Sequence, residues 1–250
     1  MANIHLNDWF AALPDPHFPC QCNKALKVAK QILLDVKPKW NICLGDIADL
    51  DALMPIARFE SRLDLLEEYT QIENFLDELA EQGTPLTHLL EGNHEARVRK
   101  AKNTKAELRR ILCPQYNLEL EKRKIKWVPY DNLNILHIRG VTFLHGFSFG
   151  KYAAADHARE WGTCVFGHTH RFQILAEIER GKPVYGYNIG WLGDEAKIGY
   201  RRMGKATGWQ QGMAIGRLPK SGKPKIYPVL IDNGKAEILE KTYRHSLQNV

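Results

Sequence analysis

Two histidines stand one residue apart in the stretch FGHTH, immediately after the apolar run Thr163–Phe166. If that run is a strand, His168 and His170 lie at its carboxyl end, where they either share a face or diverge in a turn. Imidazole nitrogens bind divalent metals in both arrangements. An isolated His-x-His is also typical of a polar loop after a strand, so the rest of the chain decides its meaning.

The same theme recurs along the sequence, with possible metal ligands directly after apolar runs. Carboxylates, neutral imidazoles and amides are donors that divalent metals accept. The segments are Asp15-Pro16-His17, Gly45-Asp46-Ile47-Ala48-Asp49, Gly92-Asn93-His94-Glu95, His145-Gly146 and Gly167-His168-Thr169-His170. Sites in parallel sheets form beyond the carboxyl ends of the strands, so these segments converge if their strands are parallel neighbours.

The number of donors matches a two-metal centre. Two metals about 3.5–4 Å apart need a bridging carboxylate and roughly three further protein ligands each. Asp46 is a candidate bridge. Asp15, His17 and one of the two terminal histidines complete the first metal site. Asn93, His145 and the other terminal histidine complete the second.

In this order, the five segments resemble the motifs of the calcineurin-like metallophosphoesterases: D-x-H, G-D-x-x-D, G-N-H-[DE], H and G-H-x-H. The resemblance covers about positions 15–170, and the ordered set is far more specific than any one motif. It implies that the first metal is bound by Asp15, His17, Asp46 and His170, and the second by Asp46, Asn93, His145 and His168. Manganese is the expected metal, and iron, nickel, cobalt and zinc also suit this donor set.

The resemblance further implies a phosphoester hydrolase. A bound metal lowers the pKa of water from 15.7 to about 7, so a metal-bridging hydroxide is the expected nucleophile. His94 would lie near the substrate without binding metal, and would protonate the leaving oxygen or offset charge on the phosphoryl group. Asp49 or Glu95 would orient His94. Arg97 and Asn93 are the candidates for contact with the substrate phosphate.

A basic segment after the third motif favours a multiply charged substrate. Positions 97–110 contain one acid and seven basic residues: Arg97, Arg99, Lys100, Lys102, Lys105, Arg109 and Arg110. Arginine grips phosphate with two hydrogen bonds, and lysine attracts it as a point charge. Lys122-Arg123-Lys124 and Arg201-Arg202 are expected to extend this surface. A solvated basic helix is the plain alternative.

The predicted activity is therefore a phosphodiesterase or nuclease that acts on DNA, RNA or nucleotides. A phosphomonoesterase, either a nucleotide or a protein phosphatase, is the alternative. The GNHE form also occurs in the protein phosphatases of the family, but Leu50 and Asp51 stand where those enzymes typically carry Arg-Gly. This difference disfavours phosphoproteins as substrates.

Two other classes of protein compete with this interpretation. GFSFG at 146–150 matches the G-x-S-x-G elbow of serine hydrolases, with Ser148 as the nucleophile and partners such as Glu177 and His245 downstream. The third class is a non-catalytic, metal-binding interaction protein. That class predicts lost metal ligands, whereas every ligand position is filled here.

Composition predicts one ordinary globular domain over residues 1–250. Hydrophobic residues make up 44% and charged residues 26% of the chain, and the net charge of +6 permits attraction to polyanions. The sequence has no apolar run near the ~18 residues of a membrane span, and five cysteines without a disulfide pattern. We therefore expect a cytoplasmic protein without membrane contact, or a phage protein in its host cytoplasm. The sequence does not predict an oligomeric state.

The elements that would position the motifs are read from hydrophobic periodicity. Helices are predicted over Asn23–Val36 and about Pro55–Glu81, with Leu66 among the core positions of the latter. The predicted strands are Asn41–Leu44, Trp127–Tyr130, Asn134–Ile138, Val141–His145, Thr163–Phe166, Val184–Ile189, Gly212–Leu218 and Lys225–Ile231, and a further one precedes GNHE. Helices alternate with strands early and strands cluster late, which indicates an α/β (α+β) fold.

The resemblance specifies this fold as a four-layer αββα sandwich of two mixed β-sheets flanked by helices. Three further residues carry expectations of their own. His157 is expected on a helix surface, and Trp191 and Trp209 in the core or at the rim of the site. NIGWLGD at 188–194 and GWQQGMAI at 208–215 resemble a subgroup of the family common in bacteriophages and bacteria, whose substrate is uncharacterised.

Overall fold

The computed structural model describes residues 8–53, 64–100, 112–198, 207–238 and 241–244. Two β-sheets lie face to face, with helices on their outer sides. The described helices are α1 (Asn23–Val36), α2 (Leu65–Glu81), α3 (Ala96–Lys100), α4 (Pro114–Asn117) and α5 (Ala153–Trp161). The described strands are β1 (Trp9–Leu13), β2 (Trp40–Cys43), β3 (His88–Leu90), β4 (Lys126–Val128), β5 (Leu136–Ile138), β6 (Val141–Phe143), β7 (Cys164–Phe166), β8 (Phe172–Glu179), β9 (Lys182–Ile189), β10 (Gln211–Arg217), β11 (Lys225–Ile231), β12 (Lys235–Ile238) and β13 (Lys241–Arg244).

Both sheets are mixed. The larger has the strand order β11-β10-β1-β2-β3-β4, in which β1 to β4 are parallel and β10 and β11 are antiparallel additions. The smaller has the order β5-β6-β7-β9-β8, with β6, β7 and β9 parallel and antiparallel strands at both edges. Strands β12 and β13 form a separate hairpin. This topology confirms the predicted mixed α/β fold.

Three apolar clusters define the layers. The cluster between the sheets joins Phe10 and Ile42 of the larger sheet to Phe143 and Val165 of the smaller one. Phe10 and Phe143 meet edge to face with ring centroids 5.0 Å apart, a geometry worth ~0.5–1.5 kcal/mol beyond the area that it buries. A second cluster packs α1 and α2 on the larger sheet, and a third packs α5 on the smaller. The order helix, sheet, sheet, helix is the expected αββα sandwich.

Local signals set the helix ends. Helix α1 spans the predicted residues and ends where Lys37 adopts a left-handed conformation, with its N–H donating to the carbonyl of Leu33 at 2.8 Å. Helix α2 begins after Asp64, whose carboxylate accepts the N–H of Glu67 at 2.9 Å as an N-cap. The predicted start of the second helix at Pro55 lies outside the described residues.

Two expectations about burial are wrong. Leu66 is 73% exposed, because the buried face of α2 carries Tyr69 and Ile72 and Leu66 is turned away from that face. His157 is buried rather than on a helix surface. Its ring stacks on Phe166 with centroids 4.2 Å apart, so this face of α5 packs on the smaller sheet.

The periodicity missed strands that lie at edges or in short hairpins. Strand β8 is an edge strand, and its half-buried and exposed residues give too weak an apolar signal for prediction. The hairpin β12–β13 was also missed. Strand β1 was anticipated only as the apolar run before Asp15. Among the described helices, none combines the length and apolar character needed to cross a membrane.

Candidate metal centre

The candidate segments meet at one edge of the double sheet. Each directly follows a strand: 15–17 follow β1, 45–49 follow β2, 92–95 follow β3, His145 follows β6, and His168 and His170 follow β7. Strands β1 to β3 are parallel neighbours, as are β6 and β7. Their carboxyl ends therefore open at the same place, as expected for sites in such sheets.

Asp46 lies between two pairs of imidazoles. Its Oδ2 is 3.3 Å from Nε2 of His145 and 3.7 Å from Nε2 of His17. On one side, Nε2 of His17 is 3.1 Å from Nε2 of His170. On the other, Nε2 of His145 is 3.2 Å from Nδ1 of His168. One carboxylate oxygen thus faces both groups, the arrangement expected if Asp46 is the bridging ligand.

Asp15 and Asn93 extend the two groups. Oδ2 of Asp15 is 3.6 Å from Nε2 of His170 and accepts the backbone N–H of His168 at 2.5 Å. Oδ1 of Asn93 is 2.9 Å from Nε2 of His145. The structure therefore brings together one group of Asp15, His17, Asp46 and His170, and another of Asp46, Asn93, His145 and His168. Residue types alone left open which terminal histidine joins which group.

The backbone is strained where these side chains project. Positive φ angles occur at Asp15 (41°), His17 (51°), Asp46 (46°), His168 (67°) and His170 (57°). Such angles are uncommon for residues other than glycine, cost of order 1–3 kcal/mol each and cluster at functional sites. Sharp turns at the strand ends explain how residues so close in sequence reach different groups.

Two motif glycines permit the close approach of the aspartates. A Cβ built on Gly92 would overlap Oδ1 of Asp46, and one built on Gly167 would overlap Oδ1 of Asp15. A larger residue at either position would displace the carboxylate. The chemistry therefore needs glycine at these positions because of space, in addition to the donors themselves.

Hydrogen bonds fix the tautomers of two histidines. Nδ1 of His145 donates to the carbonyl of Leu44 at 3.1 Å, and Nδ1 of His17 donates to the Asp49 carboxylate at 2.9 Å. Both Nε2 atoms then present a lone pair towards Asp46. Such bonds orient the imidazoles of metal sites and raise their basicity.

The electrostatics fit a bound cation. Oδ1 of Asp15 is buried and has no hydrogen-bond partner among the described residues. Burial raises the pKa of Asp46, but the charges of His145 and His94 outweigh this effect and lower it well below its usual range. Burial and the charge of His145 lower the pKa of His168 to about 3. Buried carboxylates beside imidazoles are a donor set that suits divalent metals.

His94 and Asp49, the predicted substrate-facing histidine and one of its predicted orienting groups, contact each other. Nδ1 of His94 donates to the backbone carbonyl of Asp49 at 2.6 Å and lies 3.3 Å from its carboxylate. Nε2 of His94 is 3.8 Å from Oδ2 of Asp46. His17, Asp46 and His94 present ligand atoms that all lie within 4.8 Å of one another, so His94 approaches the centre almost as closely as His17.

Glu95 binds the backbone around Asp46. Its carboxylate accepts the N–H groups of Asp46 at 3.0 Å, Ala48 at 2.9 Å and Gly92 at 2.7 Å. Three such bonds tie the second motif to the third. Of the two residues expected to orient His94, the geometry favours Asp49, and Glu95 positions the Asp46 loop.

A cavity of about 520 Å³ opens over the centre. Its lining residues are Asp46, Asn93, His94, Arg97, Phe149, His168, Thr169, His170, Arg171 and Trp209. Sequence reasoning did not single out Phe149 or Arg171, although Arg171 directly follows the last motif. A larger cavity of about 780 Å³ shares Trp209 with it and is lined by both acidic and basic residues, but by no histidine among the described residues.

Only part of the predicted basic surface lies within the described residues. The side chain of Arg97 lines the cavity, and its Nη1 donates to the carbonyl of Asp49 at 2.8 Å. Positions 101–111 and Arg201-Arg202 fall outside the described part of the chain. Lys122 and Arg123 form ion pairs with Glu119 and Asp77. These two cations are therefore partly neutralised.

The segment around Ser148 does not form a nucleophile elbow. Such an elbow is a sharp, strained turn that leads from a strand directly into a helix. Ser148 lacks a positive φ, and α5 begins only at Ala153. Glu177, one candidate partner, forms an ion pair with Arg159 at 2.9 Å. The other, His245, lies outside the described residues.

A family model described as calcineurin-like phosphoesterase matches residues 5–194 of this chain. Among curated proteins, none matches it. Similar solved structures include Vacuolar Protein Sorting 29 from Cryptosporidium parvum, with 12% identity over 95% of this chain and 98% of that chain and a TM-score of 0.49. Vps29 from Chaetomium thermophilum has 13% identity over 97% of both chains and a TM-score of 0.48. Yfce, a phosphoesterase from E. coli, has 16% identity over 84% of this chain and 91% of that chain and a TM-score of 0.39.

Proposed function

Because this chain belongs to the calcineurin-like phosphoesterase family, we propose that it hydrolyses phosphate esters with the aid of two divalent metal ions. The observation that carries the proposal is the position of Asp46, whose Oδ2 faces His17 on one side and His145 on the other. The first ion would be held by Asp15, His17, Asp46 and His170. The second would be held by Asp46, Asn93, His145 and His168.

When bound, the metals would supply the strongest chemistry, since they would lower the pKa of water and offset negative charge on the phosphoryl oxygens. The residues of the chain hold this centre in place. Asp49 fixes the His17 ring through its Nδ1, and the Leu44 carbonyl fixes the His145 ring. Fixed ligands act without reorganising during the reaction, which is the main source of electrostatic catalysis.

His94 is assigned to the substrate rather than to a metal. Its Nδ1 donates to the Asp49 carbonyl, so Nε2 is the atom left to hold or transfer a proton. His94 lines the open cavity, where a substrate would enter. Nε2 of His94 would protonate the leaving oxygen or donate a hydrogen bond to the phosphoryl group.

A phosphodiesterase or nuclease is the first choice within the family. Arg97 and Arg171 both line the cavity, and two guanidinium groups suit a substrate with more than one phosphate or with a polyanionic backbone. A phosphomonoesterase is the second choice, since the same centre accepts a terminal phosphate. We propose manganese as the native metal, and a substrate that is DNA, RNA or a nucleotide.

The setting of the protein is also a proposal. All five cysteines are free, which is typical of a reducing compartment. We therefore place the protein in the cytoplasm of a cell, or of the host if a phage encodes it. Membership of the phage and bacterial subgroup rests on the two tryptophan-containing stretches near positions 191 and 209.

The test compares the metal-stripped wild-type protein with the Asp46→Asn variant, with and without added manganese. The substrates are bis-p-nitrophenyl phosphate, p-nitrophenyl phosphate and a short fluorescent DNA strand. We expect manganese-dependent hydrolysis by the wild type that falls at least a hundredfold in Asp46→Asn, since the amide bridges two cations poorly. Asp35→Asn is the matched control, because Asp35 is exposed and bonds to Lys241 at 3.0 Å.

The substrate that is hydrolysed fastest separates diesterase from monoesterase. Hydrolysis without metal, at equal rates in both proteins, would refute the proposal. Manganese binding without hydrolysis of any of the three substrates would instead favour the non-catalytic, metal-binding class of protein.

A further inference from the structure

Two aromatic side chains flank the centre. The ring of Phe149 lies beside His168 with centroids 6.3 Å apart, and Trp209 lies beside His170 with centroids 4.7 Å apart. Both line the same cavity of about 520 Å³. His168 and His170 belong to different donor groups around Asp46. For a phosphorus bound over Asp46, Phe149 would lie on the side of His168 and Trp209 on the side of His170.

The side chain of Phe149 is exposed to solvent rather than packed in a core. Its exposed fraction is 76%, whereas Phe10, Phe18, Phe143 and Phe166 are buried. An exposed phenylalanine gives up the free energy of burial, and this one lies with Trp209 in the lining of one cavity. The side chain offers an apolar, flat surface at the mouth of a highly polar site.

The loop that carries Phe149 is anchored from both sides. The hydroxyl of Tyr130 donates to the carbonyl of Gly146 at 2.7 Å, and its ring stacks on Phe147 with centroids 4.9 Å apart. The N–H of Phe147 donates to Nε2 of the buried His157 at 2.9 Å. These contacts hold the backbone at Gly146 and Phe147, just before Phe149.

Trp209 is fixed relative to the centre. The N–H of its neighbour Gln210 donates to the carbonyl of His170 at 2.8 Å, and the N–H of Trp191 donates to the carbonyl of Gln210 at 3.1 Å. The indoles of Trp191 and Trp209 meet edge to face with centroids 4.9 Å apart. The second aromatic surface is therefore positioned by the same residues that position His170.

The lining combines aromatic rings with cations. Arg97 and Arg171 supply positive charge beside the rings of Phe149 and Trp209. Proteins that bind single-stranded nucleic acid use this combination, because every base has a flat face for stacking and every linkage has a phosphate for arginine. In a duplex the faces of the bases are covered by their neighbours, so the combination favours single strands.

We propose that Phe149 and Trp209 each stack one of the two bases that flank the scissile phosphodiester, so that the substrate is a single-stranded oligonucleotide. The inference rests on the proposed phosphoesterase function and specifies its substrate. A diester has a substituent on each side of phosphorus, and an aromatic ring on each side of the centre matches that symmetry. A monoester would leave one of the two rings without a partner.

The test uses dinucleotides, because each contains a single phosphodiester linkage. Dithymidine monophosphate is compared with two analogues that lack either the 5′ or the 3′ base, at saturating manganese. The proteins are the wild type, Phe149→Ala, Trp209→Ala and Tyr152→Ala. Tyr152 is the matched control, since it is an aromatic residue 59% exposed that does not line the cavity.

We expect each of the two cavity variants to lower kcat/KM for the full dinucleotide about tenfold, mainly through KM, which is the scale of one lost base stack. For each alanine variant, kcat/KM should not change further when the substrate lacks the base that the deleted ring would stack. The analogue that has this property should be a different one for Phe149→Ala and for Trp209→Ala. Phe149→Tyr and Trp209→Phe should restore most of the loss because they keep an aromatic ring. Manganese stoichiometry is measured in every variant, to separate stacking from disturbance of His170.

Equal losses on all three dinucleotides, or recovery by Phe149→Leu as complete as by Phe149→Tyr, would overturn the inference. So would hydrolysis of bis-p-nitrophenyl phosphate by the wild type without hydrolysis of any dinucleotide, while the proposed function would stand. Failure of the wild type to hydrolyse any diester or monoester with manganese bound would overturn the function itself.

Discussion

The imidazole of His170 lies flat on the indole of Trp191, with ring centroids 4.4 Å apart and an angle of 10° between the planes. Trp191 is almost fully buried and also meets His17 edge to face at 6.0 Å. This tryptophan therefore contacts two of the proposed ligands of the first metal. In the proposed centre it would hold their rings in the orientation that the metal needs.

We expect Trp191→Ala to weaken manganese binding at the first site about 10–100-fold, the usual effect of removing a group that orients ligands. Calorimetric titration of the metal-stripped protein with manganese measures the affinity of each of the two sites. Trp40→Ala is the control, because Trp40 stands at the opposite end of strand β2 and contacts Arg139. Equal weakening in both variants would show that general destabilisation, and not the lost stacking, is the cause.

Glu95 supports a second prediction, since its carboxylate accepts three backbone N–H groups. In Glu95→Gln, the side-chain NH₂ would face one or more of these donors instead of accepting from them. We expect a loss of stability of about 1–3 kcal/mol in urea unfolding of the metal-free protein, and weaker manganese binding because the Asp46 loop loosens. A variant as stable as the wild type would contradict this role.

Gly167 makes room for Asp15, and a Cβ there would overlap the carboxylate. We expect Gly167→Ala to bind one manganese ion fewer than the wild type, as measured by metal analysis after dialysis. Gly181→Ala is the control: Gly181 has a positive φ of 76° but open space around it, so the substitution adds strain without touching the site. Full metal content in Gly167→Ala would show that Asp15 has room to move.

Glu68 predicts a pH dependence of stability. It is buried in the first turn of α2 and accepts the N–H of Leu50 at 2.7 Å. Burial, together with the nearby charge of Asp49, raises its pKa from 4.5 to about 8. Between these values the folded state binds more protons than the unfolded state, so stability falls as pH rises through this window.

We therefore expect Glu68→Gln to stabilise the metal-free protein at pH 8 and to flatten the loss of stability between pH 5 and 8. Each kcal/mol gained raises Tm by about 2–4 °C in a chain of this size. Glu67→Gln is the matched control, since Glu67 is the preceding residue of the same helix turn and is exposed. A parallel pH profile for Glu68→Gln and the wild type would contradict the raised pKa.

Ser148 supplies a prediction about the competing class of enzyme. Because Ser148 lies in a loop before α5 and not in an elbow, we expect Ser148→Ala to retain phosphoester hydrolysis within about twofold. Hydrolysis of p-nitrophenyl acetate by the metal-free protein tests the serine esterase directly. Ester hydrolysis that requires Ser148 and no metal would revive that class.

Local patterns were sufficient to predict much of the fold. Helix α1 and strand β11 have the predicted bounds. Both signals, an apolar stripe of helical period and an apolar run of strand length, are formed by residues that are close in sequence. Edge strand β8 was missed because part of it faces solvent. Leu66 was misplaced because a helical pattern alone leaves the exact edge of the buried stripe undefined.

The sequence by itself determined which residues gather at the centre. Each candidate ligand comes directly after an apolar run, and the carboxyl ends of parallel strands open at a common edge, so their convergence follows from local pattern and general sheet geometry. The reason for glycine in two of the motifs is tertiary, since Gly92 meets Asp46 and Gly167 meets Asp15 only after the strands align.

Only the tertiary structure decided how those residues divide between the two groups around Asp46. His17 and His170 are 153 positions apart and meet across two sheets, so their pairing depends on strand order and on the packing of one sheet against the other. The same is true of the backbone bonds of Glu95, the burial of His157 and the placement of Phe149 and Trp209 on either side of the centre. Contacts between distant segments are fixed by the packing of the whole core, which no short stretch of sequence encodes.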